Sequence, residues 1–504
     1  MAVANNLVKI IKEGQAQLQV PKTVFYNPIQ EFNRDLSVLV LRTYLKHNIW
    51  HHKREERHVT SRGGMRILDA LSASGLRAIR YAKELGEERS KVKGIVANDL
   101  SKAAVELIQQ NIELNNLADF VTCKNADANQ TMFESSASFD ERFHVIDLDP
   151  FGTGAQFFDT AVRSIGEAGL LMVTCTDTAV LCGNASESCF ARYGSMSMRG
   201  EFCHDAALRI ILRSLEQHAN VYGRYIKPLL SLSVDFYVRL FVQVFTQQAE
   251  TKLSASKVSQ VYLCKECKTH ELQPLGTYEI KEDSTQASSE NLAVKYKFKT
   301  PDVQVGDKCR ICDGRFTIFG PIWNGPIHDV KFLELLKQEL EISEPKNEFG
   351  TFRRIQGLIQ LCIEELDVPL FLSATTMASI LRMRLPRFKD FMSALVNAGY
   401  KVSISHTNQY GLKTNAPNTV VWDVFRQMAE QFRSQQDQSH PGSKKVKLQQ
   451  TILMERIMSK PRERSYDFTY NAAIETESQK LSLLRFQMNP DKDWGPKSKP
   501  TTKT

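Results

Sequence analysis

Between residues 65 and 176, short apolar runs alternate with stretches that repeat with helical period. The predicted strands are 66–71, 94–99, 120–127, 143–149 and 169–176, and the predicted helices are 76–85, 101–115 and 157–165. This alternation favours a mainly parallel sheet with helices on both faces. Two further apolar runs, PLLSLSVD and YVRLFVQVF, follow within residues 201–250 and are expected to close the far edge of that sheet. The sequence therefore predicts an α/β protein with a Rossmann-like, doubly wound core.

The chain has 504 residues, which is enough for two or three domains. After residue 325, four predicted helices precede a strand pair, an order similar to a winged-helix arrangement, and after residue 433 the composition becomes rich in Gln, Ser, Lys and Pro. The predicted units are an N-terminal extension that contributes to the cofactor site (1–60), the Rossmann-like domain (61–255), a zinc-binding segment (256–324), a smaller, mostly helical α+β domain (325–432) and a largely disordered basic tail (433–504).

A loop of small residues, Ser72 to Gly75, follows the first strand of the predicted sheet. Small side chains let the backbone approach a ligand closely. The loop has a single glycine and lacks the dinucleotide fingerprint, which disfavours a diphosphate. S-adenosylmethionine has no phosphate, and Arg77 just beyond the loop is suited to pair with its carboxylate. The alternative is an ordinary tight turn.

Two acidic residues end the next two strands. Asp99 is placed to accept both hydroxyls of a ribose. Asp127 is placed to accept from an adenine amino group, beside which Ala128 leaves room for the ring. For both aspartates, the alternative is a helix cap with no ligand.

The segment DLDPFG (147–152) follows the fourth strand and predicts the chemistry. Methyl transfer to an aromatic amine needs an acceptor that aims the nitrogen at the methyl group, and Asp149 has this role and can also take the proton. Pro150 stiffens the turn and exposes its backbone carbonyl as a second acceptor, and Phe151 offers a ring on which a purine can stack, so Asp149, Pro150 and Phe151 are the predicted catalytic residues. An aspartate suits guanine, whose ring N–H and amine both donate. The alternative is a turn with a solvated carboxylate.

Two cysteine pairs, Cys264 with Cys267 and Cys309 with Cys312, have the C-x-x-C spacing of zinc knuckles. Two knuckles supply the four thiolates of a tetrahedral site and leave no position for a substrate. We therefore expect one structural Zn²⁺. Four reduced thiols without metal are the alternative.

Over roughly residues 20–430, the chain resembles the tRNA (guanine(26)-N(2))-dimethyltransferase family. The resemblance is carried by FYNP (25–28), FNRD (32–35), ALSASGLR (70–77), ANDLS (97–101), NADA (125–128), DLDPFG, TCTDTAVLCG (174–183) and GLKTNAP (411–417). It implies a class I methyltransferase fold and dimethylation of the 2-amino group of guanine 26 in tRNA, with S-adenosylmethionine as methyl donor. The residues it implies for cofactor binding are Arg34, Arg77, Asp99, Asp127 and Ala128. It implies Asp149 as the catalytic group, Phe25 and Phe151 on either side of the base, and Asp177 and Thr178 in the same pocket.

The formal charge of +8 permits a polyanionic partner, and the resemblance implies tRNA. Basic residues of the helical unit are predicted to hold its phosphates, namely those of RMRLPRFKDF (382–391) with Arg353, Arg354, Lys401 and Lys413. A solvated basic face is the alternative. No stretch is long and apolar enough for a membrane span, no secretory signal is evident, and no obligate protein partner is indicated.

Other functions and addresses stay open at the level of sequence. The target could be another RNA guanine, the product could be monomethylated, or the chain could be a non-catalytic RNA-binding module or chaperone. The basic cluster from Lys444 to Lys447 favours a nuclear address over a simple basic tail. The start at 7–18 is a poor organelle-targeting signal, and mitochondrion and cytoplasm remain alternatives.

Overall fold

A computed structural model describes residues 8–21, 26–50, 64–281, 295–439 and 452–487. The first described element is an antiparallel hairpin of β1 (Val8–Glu13) and β2 (Ala16–Pro21). It turns at Gly14, whose φ of +53° suits glycine. Leu18 and Val20 are buried in the main core, so the hairpin is part of the fold. The sequence had suggested only a weak targeting signal here.

The centre of the molecule is a seven-stranded sheet. Its strands are β3 (Met65–Asp69), β4 (Val92–Asp99), β5 (Val121–Asn125), β6 (Phe143–Leu148), β7 (Ile165–Cys175), β8 (Arg224–Val234) and β9 (Tyr237–Thr246). Their order is β5-β4-β3-β6-β7-β9-β8, with the first five parallel and β9 antiparallel to both of its neighbours. The predicted parallel sheet, closed by the two late strands, is confirmed.

Helices cover both faces of this sheet. They are α1 (Glu31–Lys46), α2 (Leu76–Glu84), α3 (Lys102–Leu114), α4 (Ala128–Ser136), α5 (Phe158–Ser164), α6 (Thr178–Leu181), α7 (Ser186–Tyr193), α8 (Cys203–Val221) and α9 (Gln248–Thr251). Two apolar cores result, one containing α1 and α2 and the other α5 and α8. Because both faces are covered, β7 is buried along its whole length, as expected of a central strand in a doubly wound sheet.

The cysteine-containing segment forms two small sheets. Strands β10 (Val258–Cys264), β11 (His270–Pro274) and β14 (Phe316–Trp323) form one antiparallel sheet in the order β11-β10-β14. Strands β12 (Thr277–Lys281) and β13 (Lys295–Lys299) pair with each other as a two-stranded sheet. The first sheet packs on the second core of the seven-stranded sheet through Val261, Phe319 and Trp323.

The following segment is helical with a small sheet. Its elements are α10 (Val330–Ser343), α11 (Phe352–Glu364), β15 (Leu372–Ser373), α12 (Ala374–Ile380), α13 (Phe388–Asn397), β16 (Val402–Ser405), β17 (Asn408–Thr414) and α14 (Asn418–Ser439). Its first two helices share the core of α1, for example through Leu336 and Ile359, so they pack with the seven-stranded sheet and its helices. The remaining elements share a third core with the four cysteines.

The prediction of a largely disordered tail from residue 433 is wrong for residues 452–487. This segment contains α15 (Ile452–Ser459) and α16 (Glu477–Lys480). Met454, Ile457, Tyr466 and Ile474 are buried in the third core, and these spaced anchors are too sparse to stand out in a polar composition. Among the helices of the described ranges, none has the length and apolarity that crossing a membrane requires.

Candidate active site and metal centre

The carboxyl ends of the parallel strands place the predicted loops side by side. The loop after β3 bonds to its neighbours on both sides, since Ala70 N donates to Asp147 O at 3.0 Å and Ser72 N donates to Asn98 O at 2.9 Å. The strand order reverses between β3 and β6, because β4 and β5 lie on one side of this pair and β7 lies on the other. Ligands of open α/β sheets bind at this switch point, which is where the predicted site lies.

Asp149 extends from the end of β6 and remains partly accessible, with 27% of its side chain exposed. Its Oδ2 accepts a hydrogen bond from Nη2 of Arg77, which is almost fully buried at the start of α2. The sequence assigned Arg77 to a cofactor carboxylate, and the structure places its guanidinium against Asp149. The ion pair fixes one carboxylate oxygen of Asp149.

A second, fully buried ion pair lies behind the first. Asp147 accepts from Arg239 at 2.8 Å and lies 3.5 Å from Arg77. Tyr81 also donates to Asp147, and the hydroxyl of Ser37 accepts from both arginines, at 3.1 Å and 2.8 Å. Burial would raise the pKa of Asp147, but the two guanidinium groups hold it below its ordinary value. Arg77 therefore joins the buried pair to the accessible carboxylate.

Asp69, at the end of β3, is a third carboxyl group in this cluster. Burial and the nearby Asp147 raise its pKa to about 7, although Ser72 Oγ donates to it at 2.6 Å. A neutral Asp69 leaves Asp147 and Asp149 facing Arg77 and Arg239, so two negative charges meet two positive ones. The cluster is thus close to electrically balanced when Asp69 holds its proton.

The turn after Asp149 presents an aromatic ring to solvent. Pro150 is buried and Phe151 is 57% exposed, unusual for a phenylalanine beside buried strands. Gly152 has φ +83°, and its N–H donates to Thr176 Oγ1 at 2.7 Å, which ties the turn to the loop after β7. The ring is therefore held at the same edge as the partly exposed carboxylate of Asp149.

Asp177 and Thr178, expected in the substrate pocket, lie where β7 passes into α6. Both carboxylate oxygens of Asp177 accept from the hydroxyl of Tyr193, at 2.9 and 3.1 Å, and Arg192 donates to it at 3.1 Å. Tyr193 also bonds Thr153 at 2.8 Å. Asp177 thus attaches α7 to the rim of the site, and its contact with a base stays a prediction.

The cofactor residues predicted at the ends of β4 and β5 lie on the same edge. Asp99 remains partly exposed while its two oxygens accept from the backbone N–H groups of Ala73 and Ser101, both at 2.9 Å. Asp127 caps α4 through Asn129 N at 2.7 Å, and Ala128 beside it is buried. A carboxylate held by two amides and still open to solvent suits ribose hydroxyls, so this edge fits an adenosyl group.

Arg34 and Phe25 were implied by resemblance alone. Arg34 lies on α1, one turn before Ser37, and pairs with Glu13 of the N-terminal hairpin at 2.6 Å. Helix α1 therefore runs beside the site, but the structure gives this guanidinium a protein partner. Phe25 lies outside the described residues, and both roles stay predictions.

The four predicted metal ligands form one buried cluster. Their sulfur atoms all lie within 4.8 Å of one another, with 3.4 Å between Cys264 and Cys312 and 3.5 Å between Cys267 and Cys309. A tetrahedral Zn²⁺ with four thiolates would separate its ligand sulfurs by about 3.8 Å. The arrangement fits zinc in both donor type and spacing.

Sequence reasoning missed Arg239, Thr176 and Tyr193. Arg239 left the clearest signal, because an arginine inside the apolar run of β9 must find a buried anion. Its partner is far away along the chain, so the sequence could not identify it. Thr176 lies within the motif TCTDTAVLCG, but nothing there marked its bond to Gly152, and Tyr193 on α7 left no signal.

Comparisons with known proteins identify the family of the chain. The family model of N2,N2-dimethylguanosine tRNA methyltransferases matches residues 7–426. A Caenorhabditis elegans protein named tRNA (guanine(26)-N(2))-dimethyltransferase is 39% identical, over 98% of this chain and 93% of its own length. A Saccharomyces cerevisiae protein of that name, described as mitochondrial, is 36% identical over 98% of this chain and 92% of its own. A solved structure of Trm1 from Pyrococcus horikoshii with S-adenosyl-L-methionine is 27% identical, has a TM-score of 0.64 and covers 82% of this chain and 99% of that chain.

Proposed function

The chain belongs to the N2,N2-dimethylguanosine tRNA methyltransferase family, and from that premise we propose how it acts. It transfers methyl groups from S-adenosylmethionine to the exocyclic 2-amino group of guanine 26 in tRNA and forms N2,N2-dimethylguanosine. The observation that carries this proposal is the pairing, at one sheet edge, of an accessible carboxylate on Asp149 with an exposed ring on Phe151.

Asp149 is the residue that acts on the amine. One of its oxygens is taken by Arg77, so the other is directed to the base, where it accepts from the amine and orients the nitrogen lone pair. As positive charge develops on nitrogen, the carboxylate stabilises it and takes the proton. Phe151 stacks on the guanine once the nucleotide has left its helical stack, a step that costs a few kcal/mol.

When bound, S-adenosylmethionine supplies an electrophilic methyl group on a sulfonium. The residues that would hold it are Asp99 at the ribose and Asp127 with Ala128 at the adenine. Arg77 is proposed near its methionine part, and Arg34 is proposed to bind the cofactor, as the family resemblance implies. Asp177 and Thr178 are proposed at the base, together with Phe25.

Nucleoside analysis tests this function directly. The full-length chain is incubated with labelled S-adenosylmethionine and an unmodified tRNA transcript that has guanine at position 26, and the tRNA is then digested. We expect N2,N2-dimethylguanosine from this tRNA and no labelled product from the same tRNA with adenine at position 26. Label in both transcripts, or in neither, would contradict the proposal.

We propose that one structural Zn²⁺ occupies the four-cysteine cluster. The cluster joins two parts of the chain, since Trp422 on α14 donates to Thr269 at 2.8 Å and Asn418 donates to His270 O at 2.8 Å. A metal at this point would fix the knuckles against the helical unit. It would take no part in the reaction, because four protein thiolates would fill its coordination positions and leave none for a substrate.

The tRNA is gripped through its phosphates by the loop between α12 and α13. Arg382, Arg384 and Arg387 are exposed there, and Lys389 follows on the first turn of α13. Lys413, predicted to join this grip, is buried and lies 2.7 Å from both Asp205 and Glu365. That part of the sequence prediction is wrong, because Lys413 is held inside the protein.

We propose a nuclear address on the strength of the basic cluster from Lys444 to Lys447, which lies outside the described residues. The mitochondrial description of the yeast relative keeps a mitochondrial pool as the competing address. Expression of the chain with a fluorescent tag, with and without Lys444→Gln and Lys445→Gln, separates the two. Unchanged nuclear signal in the double variant would contradict the proposal.

A further inference from the structure

The strands β12 and β13 form a two-stranded ribbon, whose members are Thr277–Lys281 and Lys295–Lys299. Within the residues that the structure describes, the ribbon joins no larger sheet. A two-stranded hairpin without a covering layer has little stability of its own in water. One face of this ribbon is nevertheless apolar and open.

The register of the ribbon places four large side chains on that face. Tyr278 is opposite Phe298 and Ile280 is opposite Tyr296, and residues two apart in a strand point the same way. Their exposed fractions are 42% for Tyr278, 46% for Phe298, 62% for Ile280 and 37% for Tyr296. The rings of Tyr278 and Tyr296 meet edge to face with centroids 5.3 Å apart, so the rings form one patch. Contiguous exposed patches of this kind mark interaction sites.

The charge of the same strands indicates the partner. They contain four lysines, at positions 281, 295, 297 and 299, against the single Glu279, a net formal charge of +3. Lys299 is paired with Glu279, and the two lie with Lys297 on the face opposite the rings. Long lysine side chains can reach past a ribbon edge toward phosphates. The ribbon thus combines an aromatic face, on which any base can stack, with lysines on its other face that reach phosphates around its edges.

We propose that this ribbon is a second contact with the tRNA, where its tyrosine and phenylalanine rings stack on unpaired bases outside the catalytic pocket. The inference rests on the proposed function, since the tRNA substrate is the occupant. It adds a base-stacking surface to the phosphate grip of the helical unit. A second anchor of this kind would help offset the cost of removing the target guanine from its stack.

The test compares ring-deleting with ring-keeping variants of the full-length chain. Equilibrium binding of an unmodified tRNA transcript is measured for Tyr278→Ala/Tyr296→Ala and for Tyr278→Phe/Tyr296→Phe. Loss of stacking on one base should weaken binding by about tenfold in the alanine variant and leave the phenylalanine variant near wild type. Phe133→Ala removes an equally exposed ring from α4 and serves as the matched control, with wild-type affinity expected.

A second variant probes the charge. Lys297→Gln should weaken tRNA binding several-fold and reduce the dependence of log affinity on log salt by about one. Cofactor binding measured by calorimetry should be unchanged in all variants, which shows that they are folded.

Wild-type tRNA affinity in the double alanine variant would overturn the inference. If that variant still formed dimethylguanosine, the proposed function would stand while the ribbon contact failed. A change confined to self-association in sedimentation, with tRNA affinity intact, would make the patch a protein contact and would also overturn it. A wild-type chain that neither bound nor methylated tRNA would remove the proposed function itself.

Discussion

Arg239 and Asp147 form an ion pair of 2.8 Å between two central strands of the sheet, β9 and β6, and both side chains are fully buried. Asp147 is also within 3.5 Å of Arg77, whose guanidinium bonds Asp149. The proposed catalytic carboxylate is therefore positioned through a chain of charges that starts two strands away. Each link of that chain can be broken separately.

Replacing Arg239 should damage the fold more than replacing a surface arginine. Arg239→Met leaves Asp147 buried with one guanidinium fewer, and removal of one partner of a buried pair costs about 3–5 kcal/mol. Arg66→Met is the control, because Arg66 pairs with the exposed Glu141 and its loss should cost less than about 1 kcal/mol. Denaturant unfolding at neutral pH measures both values. If both variants lost the same free energy of unfolding, the result would contradict the buried ion pair between Arg239 and Asp147.

Asp69 should make the free energy of unfolding depend on pH. Its pKa is raised to about 7 in the folded protein, so folding favours the protonated form. The stabilisation that Asp69 gives the folded state is complete below the ordinary carboxyl pKa. It is lost as pH rises through about 7. Between pH 5 and pH 8, the wild type should lose on the order of 2–4 kcal/mol relative to Asp69→Asn, which keeps an acceptor for Ser72. If the free energy of unfolding changed equally in the two proteins between pH 5 and pH 8, that result would argue against a protonated Asp69.

Phe151 should matter for the tRNA and not for the cofactor. Phe151→Ala removes the ring on which the guanine is proposed to stack and should lower kcat/KM for tRNA about tenfold or more. Phe151→Tyr keeps a ring and should retain most of the activity. Calorimetric affinity for S-adenosylmethionine should not change. Full activity in the alanine variant would show that the base does not stack there.

The cysteine cluster should hold metal. Elemental analysis of the purified chain should find about one zinc per chain, and Cys309→Ser should lose it together with several kcal/mol of stability. Cys123→Ser changes a half-exposed cysteine outside the cluster and should keep both the metal and the stability. Proteolysis should cut the serine variant first in the helical unit. Most of that unit is packed in the third core of the molecule, which contains the four cysteines. A zinc-free wild type with unchanged stability would refute the metal site.

Much of this site was predictable because its signals are local. Asp99 is the last residue of β4 and Asp149 directly follows β6, so each strand brings its acid to the same edge of the sheet. Contacts between segments that lie far apart along the chain could not be predicted. Arg239 needs the sheet order to find Asp147, and Lys413 looked like a phosphate ligand because its partners, Asp205 and Glu365, come from other elements. The anchors Ile457 and Tyr466 of the late segment are buried only because a third core happens to lie beside them.

The N-terminal hairpin was missed for a related reason. Apolar and polar residues alternate in its strands. The lysines and the glutamate of the first strand, however, are also spaced as in a weakly amphipathic helix. Its contribution appears only in the folded protein, where Glu13 pairs with Arg34 at 2.6 Å and with Arg80 at 2.9 Å. An internal ion pair of this kind cannot be read from either segment alone.

Single-turnover methyl transfer with Asp149→Ala tests the central claim most directly. Unmodified tRNA and S-adenosylmethionine are supplied at saturating levels, their binding is verified, and formation of methylated guanosine is followed in time. Asp159→Ala, an exposed acid on α5, is the control and should react at the wild-type rate. The account predicts that Asp149→Ala reacts at least about a hundredfold more slowly while it still binds both substrates. A variant that reacts as fast as the wild type would contradict it.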